Sequence, residues 1–261
     1  MSRRPKPKQK RSSELRVDSQ SAVAHILAHC PERIQELTIA TYAPNSARLD
    51  NIRRLAAENG VTVHSSGRSE EERESVWMKL APFRYTDDGV FLDDVSQKSG
   101  RQLILALDHL QDPQNFGAIA RTAEALGVSG ILLPKDRSVQ VTSGVYNASA
   151  GAIETIPVVQ VVNLSESLRR LKSQDFWIVG TTLGEGATSP WKMPDFEKIV
   201  LVMGAEWSGL SAGIEKLCDW KVQIPLPGLI QSLNVNSAAS MLMYEWFRQG
   251  AEKAENNLPS P

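Results

Sequence analysis

The sequence predicts an α/β protein: a parallel sheet with helices on both faces, preceded by a small α/β unit. Three observations predict it. Short, continuously apolar runs at residues 103–107 and 199–203 are the size of buried strands. Helical patterns alternate with such runs along the second half of the chain. Capping residues punctuate them, with Asp112-Pro113 at a helix start and Asn59-Gly60 and Gly127 at helix ends.

The elements follow in order. Ala22, Val23, Ile26, Leu27 and Cys30 recur at helical spacing until Pro31 stops the run. Residues 37–41 read as a strand, 49–58 as an amphipathic helix closed by Gly60, and 61–64 as a short strand. This αβαβ unit over about 17–66 is expected to form a small domain reaching residue 80. An acidic and basic run at 70–74 leads into a poorly patterned stretch. Residues 81–100 are expected to be a linker, with a weak strand at 90–92. A larger domain is expected over 101–250. Its strands fall at 103–107, 130–133, 156–161, 177–181, 199–203 and 222–224. Its helices fall at 112–126, within 138–149, and at 164–174, 210–218 and 235–248. Residues 251–261 read as a frayed tail.

Composition narrows the function classes. The 261 residues carry 29 Lys+Arg against 30 Asp+Glu. No run approaches the roughly 18 apolar residues of a membrane span. The basic start has no apolar segment behind it, as a secretory signal would. Two cysteines, Cys30 and Cys218, fit a reducing cytoplasm and make no metal-binding pair. His25 and His29 stand at i, i+4 on a helix but lack further ligands, so no metal site is expected. Residues 1–16 hold seven cations against Glu14 alone, read as a disordered basic arm that either contacts nucleic-acid phosphates or is simply solvated. Gly184-Glu185-Gly186 lacks the third glycine of a dinucleotide fingerprint.

In parallel sheets, ligands bind beyond the carboxyl ends of strands. Three post-strand segments combine glycines with polar side chains. They are Asp112-Pro113-Gln114-Asn115-Phe116-Gly117 running on to Arg121-Thr122-Ala123, then Gly204-Ala205-Glu206-Trp207-Ser208-Gly209, then Ile224-Pro225-Leu226-Pro227-Gly228 running on to Ser232-Leu233-Asn234-Val235. In order and spacing they resemble the three signature motifs of the SpoU branch of the SPOUT RNA methyltransferases. The run at 133–138, Gly151-Ala152 and residues 177–182 look most like the bacterial subfamily that methylates a guanosine ribose in 23S rRNA. The resemblance covers residues 101–249 strongly and 19–66 weakly, as that family's substrate-binding domain.

The resemblance implies methyl transfer from S-adenosylmethionine to a ribose 2′-hydroxyl of RNA. It also implies a C-terminal trefoil knot and a homodimer with active sites near the interface. Cofactor contacts would come from Gly204, Ile224 and Leu233, with Thr181 and Thr182 beside the adenosine. Arg121 would grip the phosphate next to the target ribose rather than act as a base, since a guanidinium keeps its proton; an i, i+3 ion pair with Glu124 is the plainer reading. Asn115 would hold the ribose or the methionine end, or merely support the helix start. Glu206 would order its loop or bind the acceptor nucleoside. Ser232 and Asn234 would face the ribose and also cap the following helix.

Departures from the family put the RNA target in question. Ser19-Gln20-Ser21-Ala22-Val23 replaces G-x-H-A-V, the H-Q-G turn is not recognisable near Asp88-Gly89-Val90, and Trp207-Ser208 makes the second motif bulkier. Trp207 could stack on a base or plug an interface. A tRNA ribose target and a non-catalytic RNA-binding module with the same fold are the alternatives. The joint presence of Asn115, Arg121, Glu206, Ser232 and Asn234 favours an enzyme.

Overall fold

In the first half of the chain, residues 37–40 and 76–80 are largely buried runs that form the middle of a small sheet. The computed structural model describes residues 15–67, 75–182, 186–204 and 209–256. The small sheet contains β1 (Leu15–Val17), β2 (Ile34–Ala40), β3 (Val63–Ser66) and β4 (Val76–Leu80) in the order β1-β4-β2-β3. Only β2 and β3 run parallel; β4 is antiparallel to both of its neighbours. Helices α1 (Gln20–His29) and α2 (Ala47–Glu58) pack against each other, and α1 also touches β4. Gly60 takes φ 67° just past α2, the left-handed closure its position predicts.

Four expectations for this half need correction. The ordered chain begins earlier than residue 17, because Leu15 and Arg16 lie in β1. Arg16 therefore belongs to the fold: its backbone N–H donates to Ser143 Oγ at 3.1 Å and its guanidinium lies 4.7 Å from the Trp77 ring centre. The rest of the basic arm lies outside the described residues. Strand β4 was not expected. Residues 88–97, expected within a linker carrying a strand at 90–92, form helix α3 (Asp88–Gln97). Asp87 caps it by accepting the Val90 N–H at 3.1 Å, and Phe91, Leu92 and Val95 supply a buried face at helical spacing.

The large sheet is parallel throughout: β10 (Trp220–Val222), β8 (Trp177–Thr181), β9 (Lys198–Met203), β5 (Gln102–Leu107), β6 (Gly130–Pro134) and β7 (Val158–Val161), in that order. Every residue of β5 is buried, and its side chains alternate between two cores. Leu103, Leu105 and Leu107 join the core that continues into the small domain, whereas Ile104 and Ala106 join a second. Helices α4 (Pro113–Ala125), α5 (Ser143–Ala148) and α8 (Val235–Asn256) contribute to the first. Helices α3, α6 (Leu164–Lys172) and α7 (Ala212–Glu215) contribute to the second. Both faces are thus covered, as a continuous apolar strand requires.

Boundaries shift where local bonds intervene. The helix expected at 210–218 is only α7. Asp219 then bonds Ile178 through its backbone and its carboxylate, which starts β10 at Trp220 rather than Val222. Helix α8 runs to Asn256, so 251–256 are helical and not a frayed tail; 257–261 lie outside the described residues. No helix among the described residues is long and apolar enough to cross a membrane.

Candidate functional site at the carboxyl edge of the large sheet

The first motif is placed by its own capping. Asp112 accepts the backbone N–H groups of Gln114 and Asn115, each at 3.1 Å, and Pro113 occupies the first helical position. This fixes Asn115 in the first turn of α4. Gly117, in the same motif, serves packing instead of ligand approach. A Cβ there would lie 2.5 Å from Ala148 Cβ and 2.8 Å from the Val145 carbonyl, so its absence lets α5 close on α4.

The third motif is placed by the start of α8. Asn234 Oδ1 accepts the Asn236 N–H at 2.9 Å, and the Asn234 carbonyl takes the first helical bond from Ala238. Its amide nitrogen is left to donate across to Asn115 Oδ1, also at 2.9 Å. Capping and site roles therefore coexist in one side chain. Farther along, Ser240 Oγ donates to Thr122 Oγ1 at 3.2 Å, so α4 and α8 run side by side in the same direction. The far end of α8 is held by Arg101, which pairs with Asp195 and donates to the Trp246 carbonyl at 3.0 Å.

A second group forms where β8, β9 and β10 end. Thr181 Oγ1 donates to the Val202 carbonyl at 3.2 Å and accepts the Gly204 N–H at 3.4 Å. Thr182 N–H donates to the Val222 carbonyl at 3.1 Å. Gly204 is required by its own loop: a Cβ would meet the Gly209 backbone at 2.3 Å. Ile224 is partly buried against the large core. Among the described residues, no hydrogen bond engages the backbone of Ile224 or Leu233. Those free backbone donors and acceptors, two residues past an edge strand and two before a helix, suit a ligand gripped by main chain.

The chain matches the model of the SpoU rRNA Methylase family over residues 102–244, more than half its length. A Staphylococcus aureus protein assigned to the TrmH family of tRNA/rRNA methyltransferases is 41% identical over 176 residues, spanning 67% of this chain and 71% of the relative. This chain belongs to the SpoU rRNA methylase family. A Staphylococcus saprophyticus relative of the same assignment is 38% identical over 77% of the methylase and 83% of its own length. Among solved structures, the SpoU methyltransferase AviRb from Streptomyces viridochromogenes with AdoMet shares the fold at a TM-score of 0.76, with 22% identity and 95% of both chains covered. The A. aeolicus TrmH/SpoU tRNA modifying enzyme is 31% identical, with a TM-score of 0.55 over 65% of the methylase and 85% of that chain.

The methylase thus brings together Asn115 with Asn234, and Thr181 with Gly204. Ser232 is exposed two residues before Asn234. Arg121 is not drawn into either pair. It lies six positions beyond Asn115 on another face of α4, exposed, with no hydrogen bond or ion pair among the described residues. The ion pair to Glu124 considered for it is not made. Glu206 and Trp207, and the glycine fragment at Gly184-Glu185, lie outside the described residues. Sequence reasoning missed Asp108 and His109, which directly follow β5. Asp108 is 2% exposed, a burial its polar neighbours in sequence do not signal.

Proposed function

We infer that this protein transfers a methyl group to a ribose 2′-hydroxyl in RNA, most specifically a guanosine of 23S rRNA. Family membership makes it an RNA methyltransferase, and S-adenosylmethionine is its methyl donor. The observation that carries the reading is the Asn234–Asn115 hydrogen bond at 2.9 Å, which joins the first and third motifs although 119 positions separate them. Residues Thr181, Thr182, Gly204, Ile224 and Leu233 would hold the donor, and the main-chain groups of Ile224 and Leu233, which bond no described residue, fit an adenosine. When bound, the donor supplies a sulfonium methyl that is already electrophilic.

The protein's own task is then alignment. Asn115, Asn234 and Ser232 orient the ribose. We assign Glu206, three positions past β9 in the sequence, to ordering its own segment or binding the acceptor nucleoside. The Arg121 guanidinium, without a partner among the described residues, holds the flanking phosphate through two parallel N–H bonds. The path from edge strand β10 back to α8, packed on α4, is the segment we assign to the knot. Met241, Tyr244 and Phe247 stand exposed along α8 at 52%, 56% and 45%. We assign that stripe to a second copy of the chain, giving a homodimer that places Arg121 near the interface.

The test is incorporation of labelled methyl from S-adenosylmethionine into RNA. Transfer at a ribose oxygen is the expected result. Retained RNA binding without transfer would support the non-catalytic module instead. Mapping 2′-O-methyl positions in cells lacking the protein separates 23S rRNA from tRNA: a missing tRNA methyl group would overturn the rRNA assignment.

A further inference from the structure

Segment 108–112 leaves β5 between the two halves of the site, with the Gly204 turn on one side and the start of α4 on the other. Asp108 extends the β5–β9 ladder, its N–H donating to the Met203 carbonyl at 2.8 Å. Its buried side chain has two partners. Oδ2 accepts the Ser211 N–H at 2.9 Å, tying Ser211 to the end of β5. Oδ1 lies 2.6 Å from His109 Nδ1. His109 itself adopts φ 62°, a left-handed conformation side-chain-bearing residues avoid, and its ring is 43% exposed.

These contacts fix the chemistry of the ring. A carboxylate oxygen only accepts, so the hydrogen between the two side chains belongs to the imidazole. Nδ1 carries it, and in the neutral ring Nε2 keeps its lone pair. The ring is therefore held in one tautomer and one orientation at the carboxyl edge, partly open to solvent. Among the other described polar residues of the site, Asn115, Asn234 and Thr181 are not bases, Arg121 is already charged, and both Asp112 oxygens are engaged in capping α4. A left-handed histidine braced by a buried carboxylate is the kind of strain that persists at functional sites.

We propose that His109 is the proton acceptor of the reaction and that Asp108 positions it; this rests on the ribose-methylation reading above. The 2′-hydroxyl proton passes to His109 Nε2. The ribose oxygen uses the freed pair to form the O–CH3 bond, and the pair of the broken S–CH3 bond stays on sulfur in the departing thioether. The histidine then returns the proton to solvent.

Single-turnover methyl transfer is measured for the unsubstituted protein, His109→Gly and Asp108→Asn. Glycine suits φ 62°, so His109→Gly keeps the fold while removing the ring. Its rate should fall about 100-fold, with calorimetric uptake of S-adenosylmethionine unchanged and part of the rate restored by added imidazole. In Asp108→Asn the amide oxygen still serves Ser211, while the amide nitrogen donates to Nδ1 and drives the ring hydrogen to Nε2. Nitrogen-15 NMR should show that exchange of protonated nitrogens, and transfer should fall with it. A rate in His109→Gly within about threefold of the unsubstituted protein, a loss that imidazole does not repair, or a ring hydrogen on Nε2 in the unsubstituted protein would overturn the assignment. Absence of transfer by the unsubstituted protein would instead remove the methylation reading, and this inference with it.

Discussion

The junction between the two sheets is held by an arginine whose donors are engaged, while the arginine of the first motif is left open. Arg33 is 8% exposed. Its Nε donates to Glu154 at 3.2 Å, and a terminal nitrogen donates to the Ala81 and Pro82 carbonyls at 3.0 and 2.8 Å. Burial is the largest single influence and works against its charge, but the Glu154 bond and charge, together with Tyr146, hold the guanidinium above its ordinary value. Burial, reinforced by Glu154, pushes the neighbouring Tyr146 hydroxyl well above the usual tyrosine range, so it remains a donor to Glu154. Asp18 and Ser19 add bonds to Asn147 across the same junction. Arg121 has no such partner among the described residues. The difference teaches that a guanidinium bonded to both sides of a junction fixes one piece of protein on another, and one without a described protein partner is available to a ligand.

Cutting the junction should give the largest effect. Glu154→Ala leaves Arg33 buried without its counter-charge and should cost about 3–5 kcal/mol in denaturant unfolding. Arg121→Ala should do the converse. Methyl transfer should drop by about 100- to 1000-fold while the unfolding midpoint and cofactor uptake stay put. A midpoint that moved in step with activity would erase the contrast between the two arginines. Gly117→Ala tests whether the motif glycine belongs to packing: the added Cβ, 2.5 Å from Ala148 Cβ, should destabilise by about 1–3 kcal/mol.

The smallest effect concerns the other contact at the junction. His25 stacks near His29, with ring centres 4.6 Å apart, and its Nε2 lies 3.4 Å from Thr155 Oγ1. Burial first, then the His29 charge, pulls the His25 value below the ordinary 6.5, against an opposing pull from Glu124. The unfolded chain therefore binds this proton more readily. Stability from His25 is present above 6.5 and is lost as pH falls from there toward the lowered folded value. Thermal unfolding scanned across that range should show a shallower slope in His25→Gln; an identical slope would discharge His25 from the junction.

Much of this was legible in the residues. The alternation along β5 divides between two cores because a buried strand has two apolar faces. Asp112-Pro113 marks a helix start by chemistry alone, since Asp caps and Pro lacks the donor that goes unused there. Helix α3 was not legible: only Phe91, Leu92 and Val95 are buried in it, too few for a clear period. Strand β4 was hidden because its pairing partners, β1 and β2, are remote in sequence. Asn115 and Asn234 were each recognisable as candidates, but a bond between them depends on how α8 returns to α4. His109 carried a faint signal, a histidine beside an aspartate after a strand. Its left-handed φ and its neighbour's burial are properties of the packed chain.

The residue order by itself determined the two-faced sheet, the capped helices and the three motif segments, because periodicity and capping act within a few positions. Tertiary structure alone decided which motif side chains meet, which arginine is spent on the junction, and which glycine serves packing. Those outcomes depend on distances between residues about thirty to more than a hundred positions apart, and such distances are set by how the helices lie on the sheet.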